Sequence, residues 1–368
     1  MQRIERSPAT ITDNVAQRAQ VAYLPRPSSP RPDRDLNADY AELKRRIVRA
    51  GLLKKQPGYY ALNAAVRLAL LAGSLTVLFT VETFWVQLLN AAFLAFAFTQ
   101  IGFLGHDAGH KQIFERPARN GQIGLAINLL LGLSRSWWID IHNQHHVNPN
   151  DLELDPHTAL PIFAFSEEQA RAKRGPLRRA IGYQSFYFFP ILFLEGVGVR
   201  AASVQYLMTP RAKDRAAEAL LIALHFVLYF GIVFYVFSVW QAVAFIAVHQ
   251  AMFGLYMGSV FAPNHKGMPT LSKDRPLDFL RQQVLTSRNV TGHAATDFVY
   301  GGLNYQIEHH LFPSMPRNKL GEAQVIVRAF CVERGIPYRE SGIVQSHIEI
   351  LQWLHETSAP CRAPAPFA

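Results

Sequence analysis

The chain has 368 residues, of which 49% are hydrophobic and 17% are charged, and its formal net charge is +10. Its two cysteines, Cys331 and Cys361, do not form a pair with metal-binding spacing, which argues against an iron–sulfur cluster within the chain. The basic residues flank apolar segments, so the positive charge predicts contact with anionic lipid and no binding of nucleic acid.

Residues 1–60 are rich in proline and arginine and have no apolar core of the kind that marks a signal peptide. The stretch 25–32 predicts an extended tail, and residues 36–51 predict an amphipathic helix on the membrane surface. We therefore expect a basic cytoplasmic tail that ends in an interfacial helix.

Four long apolar segments follow, at about 61–84, 86–104, 219–237 and 240–262. Each is close to the roughly 20 residues that a helix needs to cross a bilayer of about 30 Å. The links within each pair are short and lack Lys and Arg, whereas residues 1–60 carry twelve. Two transmembrane hairpins are therefore predicted, and the positive-inside rule places both termini and the central segment in the cytoplasm.

The remaining segments predict smaller elements. Residues 121–133 are apolar but too few to cross, which favours a re-entrant or buried helix. Residues 185–207 are rich in aromatic side chains yet contain charges, which favours an interfacial helix, and the charged run 167–179 predicts a solvated surface. We expect a membrane domain at 61–317 and a cytoplasmic C-terminal tail at 318–368.

Three clusters contain eight of the fourteen histidines. Spacings of three and four residues place imidazoles on one face of a helix, whereas adjacent histidines point about 100° apart and suit two different metals. Eight imidazoles exceed the roughly four ligands of one tetrahedral zinc. The sequence therefore predicts two metal ions, held by His106, His110, His142, His145, His146, His265, His309 and His310.

All three clusters fall on the same side of the predicted topology. The first follows the second crossing, the second lies in the central segment, and the third follows the fourth crossing. The predicted fold is an all-α integral membrane protein, with four transmembrane helices in two hairpins. A helical cytoplasmic cap then holds a histidine-rich di-metal site.

These motifs resemble the membrane-bound fatty acid desaturase family. The resemblance rests on His106-x-x-x-His110, His142-x-x-His145-His146 and Gln306-x-x-His309-His310 around two apolar hairpins, and it covers about 61–317. Gln306 stands where other subgroups have histidine, which resembles the front-end subgroup that includes linoleoyl-CoA (delta-6) and delta-5 desaturases. The segments 301–313 and 264–267 resemble bacterial members.

The resemblance implies a non-haem centre of two iron ions that uses O₂ and two electrons to desaturate a long-chain acyl substrate, either acyl-CoA or acyl-lipid. Redox-inert zinc could not supply this chemistry. The eight histidines would be the iron ligands, and Asn264 and Gln306 would line the site. His293 is a further candidate for the position that Gln306 vacates.

Several other residues have simpler expected roles. Asp107, Asp140 and Glu308 lie beside the predicted ligands and could accept hydrogen bonds from imidazoles. Each could equally be a solvated or capping residue. His225 and His249 lie in apolar crossings, where we expect structural hydrogen bonds. His157 is expected to be a surface residue or an outer neighbour of the site.

The electron source is expected to be a separate protein. Fused cytochrome b5 domains of many relatives need a His-Pro-Gly-Gly motif, and no histidine precedes His106. A ferredoxin or related reductase would be attracted to the basic cytoplasmic face. The expected location is the cytoplasmic (inner) membrane, with the active site and both termini on the cytoplasmic side.

Other functions remain open at this stage. The same histidine pattern serves hydroxylases and hydrocarbon oxygenases, which share the oxidant and differ in how the reaction ends. A metal transporter would place its ligands within the crossings, whereas here they lie at the ends. A zinc metalloprotease is not predicted, because His-Glu-x-x-His is absent from the sequence.

Overall fold

A computed structural model describes residues 36–272 and 277–362. Four helices are long and apolar enough to cross a membrane, as the sequence predicts. We label the first helix of the described residues α1 (Leu36–Arg49), and the four long helices are α2 (Pro57–Thr80), α3 (Phe84–Gly109), α10 (Arg215–Val236) and α11 (Val239–His265). The observed α3 extends five residues beyond the predicted end of the second crossing, and α11 extends three beyond the fourth.

The long helices form the two predicted hairpins, and α3 and α11 pack against each other at the centre. Side chains of both helices share one hydrophobic core, which includes Leu94, Phe98, Phe245 and Phe253. The outward faces remain apolar, as expected for helices surrounded by lipid. Exposed Trp85 and Trp240 lie where each hairpin turns, which is the usual place of an interfacial aromatic residue.

The central segment contributes six helices between the hairpins. They are α4 (Pro117–Leu131), α5 (Arg135–Val147), α6 (Glu167–Ala172), α7 (Gly175–Ile181), α8 (Gln184–Leu192) and α9 (Glu195–Leu207). Helix α4 packs against α3 and α10, in agreement with the predicted buried helix. The charged residues Glu167 and Arg171 of α6 are exposed, as predicted.

The prediction of one interfacial helix over 185–207 is wrong. The structure has two helices, α8 and α9, which are bent by 72° at the break between Leu192 and Glu195. The bend lies against α11, where Gly254 leaves space for the backbone at Leu192 and Gly196. A hydrophobicity pattern does not reveal this bend, because it depends on a close approach between segments distant in the sequence.

Replacement of Gly254 by alanine should destabilise this contact. A Cβ atom at Gly254 would overlap the carbonyl oxygen of Leu192 and lie 2.6 Å from the backbone nitrogen of Gly196. Overpacking of this kind costs about 1–3 kcal/mol, so the melting temperature in detergent should fall. Gly73→Ala on α2 is the matched control, because a Cβ there has no atom within 4 Å. Equal melting temperatures for the two variants would contradict the expected close packing.

The rest of the described chain forms a cap at the end of the long helices. Its elements are α12 (Phe279–Leu285), β1 (Asn289–Thr291), α13 (Ala294–Val299), α14 (Gln306–Leu311), α15 (Leu320–Arg334), β2 (Glu340–Gly342), α16 (Ile343–Thr357) and α17 (Ala359–Arg362). The two strands pair in parallel, with Asn289 opposite Glu340. These strands are an addition to the all-α prediction.

The cap changes two predictions about the ends of the chain. Helix α1 is present, but its apolar residues Leu43 and Ile47 are fully buried against the core that contains Leu280 and Phe330. Its apolar face is therefore covered by protein and not by lipid. The segment predicted as a C-terminal tail is folded, and Phe330 within it is fully buried. The predicted extended tail at 25–32 lies outside the described residues.

Candidate metal centre

Four helices bring the three histidine clusters together. His106 lies in the last turn of α3 and His110 is the residue that follows this helix. The second cluster, His142, His145 and His146, lies on α5. The hydroxyl of Ser134 caps the first turn of this helix by accepting a hydrogen bond from Trp137 N at 3.1 Å. His265 ends α11, and α14 carries the third cluster.

The buried carboxylate of Glu218 attaches α5 to the second hairpin. Ser134 Oγ and Ser136 Oγ donate hydrogen bonds to it at 2.6 and 2.5 Å. These contacts position the start of α5, and with it the second histidine cluster.

The histidines form two groups. The ligand nitrogens of His106, His110, His142 and His309 lie within 4.8 Å of one another, and so do those of His145, His265 and His310. We call these groups site A and site B. The adjacent residues His309 and His310 therefore belong to different sites, as expected from their angular separation.

His146 borders site A. Its Nε2 atom lies 3.1 Å from Nε2 of His142 and 3.1 Å from Nε2 of His309. Its ring also stacks on His310 of site B, with ring centroids 4.2 Å apart. The eight predicted histidines are therefore all brought together in one buried cluster.

Five imidazoles of the cluster that lie outside the long helices have low proton affinity. Burial, followed by the charge of neighbouring imidazoles, lowers the pKa of His110, His142, His146 and His309 well below its usual value. Burial has the same effect on the pKa of His310. These imidazoles are therefore neutral near pH 7, which is the form that binds metal.

Two of the site A nitrogens have no partner in the part of the chain that the structure describes. The Nε2 atoms of His106 and His110 are buried and form no hydrogen bond within the described residues. A buried polar atom without a partner is costly, and a metal ion would satisfy it. The nitrogen donors therefore fit a transition metal.

In site B, all three imidazoles are oriented through Nδ1. His145 donates to the carboxylate of Asp155 at 2.9 Å, and His265 donates to the carbonyl oxygen of Thr286 at 3.0 Å. His310 donates to Gln283 Oε1 at 2.9 Å. Their Nε2 atoms are thus left to face each other, with 3.2 Å from His145 to His265 and 3.1 Å from His265 to His310.

Gln306, which stands where other desaturase subgroups have a histidine, lies beside site B. Gln306 Nε2 is 3.0 Å from Nε2 of His265, and Gln306 Oε1 accepts a hydrogen bond from Asn264 at 3.0 Å. Both amides are buried. The third candidate, His293, is exposed and caps α13, where its Nδ1 accepts a hydrogen bond from Ala295 N. The structure therefore does not bring His293 to the cluster.

Of the three predicted carboxylate partners, only Asp107 contacts an imidazole. Asp107 Oδ1 is 3.3 Å from Nδ1 of His106. Asp140 instead accepts a hydrogen bond from Gln144 and lies 3.6 Å from Arg211.

The hydrogen-bond partners of Glu308 are likewise not imidazoles. It accepts hydrogen bonds from Tyr338 at 2.6 Å and Asn289 at 2.8 Å. Burial raises the pKa of Glu308 to about 7, although these bonds oppose the shift. Of the two alternatives for Asp140 and Glu308, contact with an imidazole is therefore not observed, because the helices point both carboxylates away from the rings.

Three further histidines, His225, His249 and His157, have the expected surroundings. His225 donates from Nδ1 to the carbonyl oxygen of Leu129 at 3.0 Å, and His249 Nδ1 is 2.7 Å from the hydroxyl of Tyr229. The structural hydrogen bonds predicted for both residues are therefore confirmed. The side chain of His157 is 44% exposed, and its Nδ1 lies 3.6 Å from Asp155.

Asp155 and Gln283 were missed as partners of the site. Asp155 belongs to an acidic run, which offered a weak signal, whereas no local pattern marks Gln283. Asp155 is buried and also accepts hydrogen bonds from the backbone of Asn150 and His157 at 2.9 Å each. These hydrogen bonds fix the Asp155 carboxylate in the position from which it orients His145.

Asp155→Asn should weaken metal binding while leaving the fold intact. The amide keeps the size of the side chain but removes the charge that orients His145, a change that typically lowers metal affinity or activity about 10–100-fold. Metal analysis after dialysis against a graded series of chelator concentrations would measure this loss. Glu153→Gln, an exposed carboxylate in the same run, is the control. Equal metal retention by both variants would contradict the role of Asp155.

An apolar cavity reaches site A between the long helices. It is lined by side chains of α3, α4 and α11, among them Thr99, Ile127, Leu131 and Met257, and by His106 itself. Trp138 also lines it and stacks on His142, with ring centroids 4.4 Å apart. The cavity has a volume of about 100 Å³, so it can hold a short stretch of hydrocarbon beside His106.

The fold and this cluster define a membrane-embedded protein with a buried, histidine-rich site that fits metal ions. Comparison of the sequence agrees, because the model of the family described as "Fatty acid desaturase" matches residues 83–342. The chain belongs to this family. The predicted family and enzyme class, an oxidoreductase of the fatty acid desaturase type, are confirmed.

Similar proteins are named as desaturases that act at several positions. The chain is 30% identical to the "Acyl-lipid (9-3)-desaturase" of Physcomitrium patens and covers 64% of its length, with 89% of the chain aligned. It is 30% identical to the Delta(6)-fatty-acid desaturase of Caenorhabditis elegans, with 89% of the chain and 76% of the relative aligned. The Delta(8)-fatty-acid desaturase of Helianthus annuus is 29% identical, with 90% and 76% aligned.

Proposed function

We propose that this chain is a front-end desaturase that inserts a cis double bond into a long-chain acyl substrate. Two hydrogens leave adjacent methylene groups, and O₂ takes them up with two electrons and two further protons to give two waters. The observation that supports this proposal is the apolar cavity that has His106 of the buried histidine cluster in its wall. The names of the relatives support the front-end type.

The two histidine sites would each hold one iron ion. Site A would use its four histidines together with His146, and site B would use its three histidines, with Gln306 and Asn264 beside them. Iron supplies the redox chemistry that zinc lacks. The chain itself contributes neutral imidazoles, fixed ring orientations and a site closed to water.

The cavity would hold the part of the acyl chain that lies next to the metals. Thr99 and Leu131 line it together with Phe253, and His106 lies in its wall, so a methylene group near this wall would be close to site A. Because the wall is as apolar as a lipid tail, the chain would move from the bilayer into the cavity without exposing hydrocarbon to water.

We further propose that electrons come from a separate protein and that the cap faces the cytoplasm. The support is the distribution of positive charge, with twelve Lys and Arg in residues 1–60 and none in the links at residues 81–83 and 237–238. An acidic ferredoxin or related reductase would be attracted to this face. Fusion of a reporter that is active on only one side of the membrane to residue 368 would test the orientation.

Feeding experiments would test the reaction. The full chain would be expressed in a host without polyunsaturated lipids, which would receive stearate, oleate or linoleate separately. We expect a new double bond between the existing one and the carboxyl group of oleate or linoleate, located by mass spectrometry. A product that gains oxygen and loses no hydrogen would indicate a hydroxylase instead. Desaturation of stearate alone would contradict the front-end type.

A further inference from the structure

A second cavity lies between α9, α10 and α11 and shares no lining residue with the one at His106. Its volume is about 520 Å³. Apolar side chains such as Val197, Val204 and Phe230 form much of its wall, and all three are exposed on the outer surface of the helices. Because this surface is apolar, the cavity is accessible from the lipid side.

One charged residue, Arg200, lines this cavity. Its side chain is almost entirely buried, with 6% of the residue exposed. Nη1 donates to the carbonyl oxygen of Gly196 at 2.7 Å and to Gln250 Oε1 at 2.8 Å, and the guanidinium lies over the ring of Phe253. Within residues 36–272 and 277–362, Nη2 has no hydrogen-bond partner and no carboxylate pairs with Arg200.

The other polar groups in the wall do not supply the missing negative charge. Nδ1 of His225 donates to the backbone of α4, and the hydroxyl of Tyr229 is engaged by His249. Arginine stays protonated in proteins, and an unpaired charge within apolar helices is costly. The guanidinium fork matches the oxygens of a carboxylate or phosphate, which it can bind through two parallel hydrogen bonds.

We propose that this cavity binds an acyl-chain amphiphile through its oxyanion, a carboxylate or a phosphate held by Arg200. The hydrocarbon chain would lie against Val197, Val204 and Phe230, where it continues into the bilayer. A fatty acid and an anionic phospholipid both supply this chemistry. The proposal does not depend on the desaturase reaction, because neither the metals nor the cavity at His106 take part.

Binding would be measured on the purified full chain in neutral detergent by native mass spectrometry. Oleate would be compared with oleyl alcohol, and dioleoyl phosphatidate with dioleoylglycerol, so that each pair differs in the oxyanion alone. Inorganic phosphate would test for an ion without a chain. Arg200→Gln removes the charge, Ala201→Phe fills the cavity, and Val227→Phe places the same ring on the exposed part of α10 outside the cavity.

We expect oleate, phosphatidate or both to bind at least about tenfold more tightly than the neutral partner, which corresponds to one charged hydrogen bond. This preference for the charged amphiphile should disappear in Arg200→Gln and in Ala201→Phe and persist in Val227→Phe. Binding of oleate would identify the ligand as a fatty acid, and binding of phosphatidate would identify it as an anionic phospholipid. If Arg200→Gln does not fold, Ala201→Phe decides.

Three results would overturn the proposal. The first is equal binding of the charged and neutral amphiphiles. The second is full binding in Ala201→Phe, since binding to the cavity at His106 would survive there. The third is binding of phosphate without binding of either amphiphile.

Discussion

Alanine in place of His145 or His309 should abolish the double-bond product. The two variants are informative together, because His309 belongs to site A and His145 to site B. Each substitution removes one buried nitrogen from a set of three to five, and no exposed side chain can replace it. Since loss of a residue that only orients a metal ligand already costs about 10–100-fold, loss of a ligand should reduce product below detection.

Metal content separates this expectation from a simple loss of folding. Purified protein should contain about two iron ions per chain, and each alanine variant should contain fewer while keeping its helical circular dichroism. His293→Ala is the matched control, because this histidine is exposed and far from the cluster. Its iron content and product should equal those of the unchanged protein. Activity retained in either His145→Ala or His309→Ala would refute the di-iron proposal.

The second large effect is expected from Asp107→Asn. Arg317 Nη2 lies 2.7 Å from the Asp107 carboxylate, and both residues are buried. The same guanidinium donates to the carbonyl oxygen of Phe103 at 2.6 Å. The pair therefore connects the end of α3 with the chain that follows the third histidine cluster. Removal of one partner from a buried ion pair costs about 3–5 kcal/mol, because the remaining charge stays buried.

Thermal unfolding in detergent would measure this loss. Asp107→Asn should lower the melting temperature and, because Asp107 also contacts His106, the iron content of the purified protein. Glu322→Gln offers the contrast, since Glu322 forms an ion pair with Lys319 at the surface, with 57% of the Glu322 side chain exposed. Exposed pairs contribute little, so this control should melt like the unchanged protein. Similar melting temperatures for both variants would show that the buried pair is not structural.

Helical periodicity explains why much of the site was predictable. A four-residue spacing places His106 and His110 on one face, and adjacency separates His309 from His310. Both relations are local, and the structure reproduces them in site A and site B. Long runs without charge likewise predicted the four crossings, because burial in a bilayer requires such runs.

Orientation of the imidazoles was not predictable in the same way. His310 bonds to Gln283, which is 27 residues away, and Asp155 reaches His145 across a turn. The neighbours Asp140 and Glu308 were plausible by sequence distance, yet the helix points them elsewhere. Partners of this kind depend on which segments pack together, and no spacing rule encodes that choice.

Amphipathic patterns have a related ambiguity. The apolar face of α1 fits a membrane surface as well as a protein core, and only the fold shows Leu43 and Ile47 packed beside Phe330. The bend between α8 and α9 depends in turn on the missing side chain of Gly254. In both cases the sequence pattern indicates that an apolar surface is buried, but it does not indicate which segment packs against that surface.

By itself, the sequence indicated the class of the protein, the four helices long and apolar enough to cross a membrane, and the eight histidines that form the cluster. Those features depend on residue type and on spacing within one helix. The tertiary structure decided that Gln306 and Asn264, and not His293, lie beside site B, and that Arg200 lines a separate cavity. Such features require contacts between distant segments, because close packing in three dimensions selects the partner of each buried polar group.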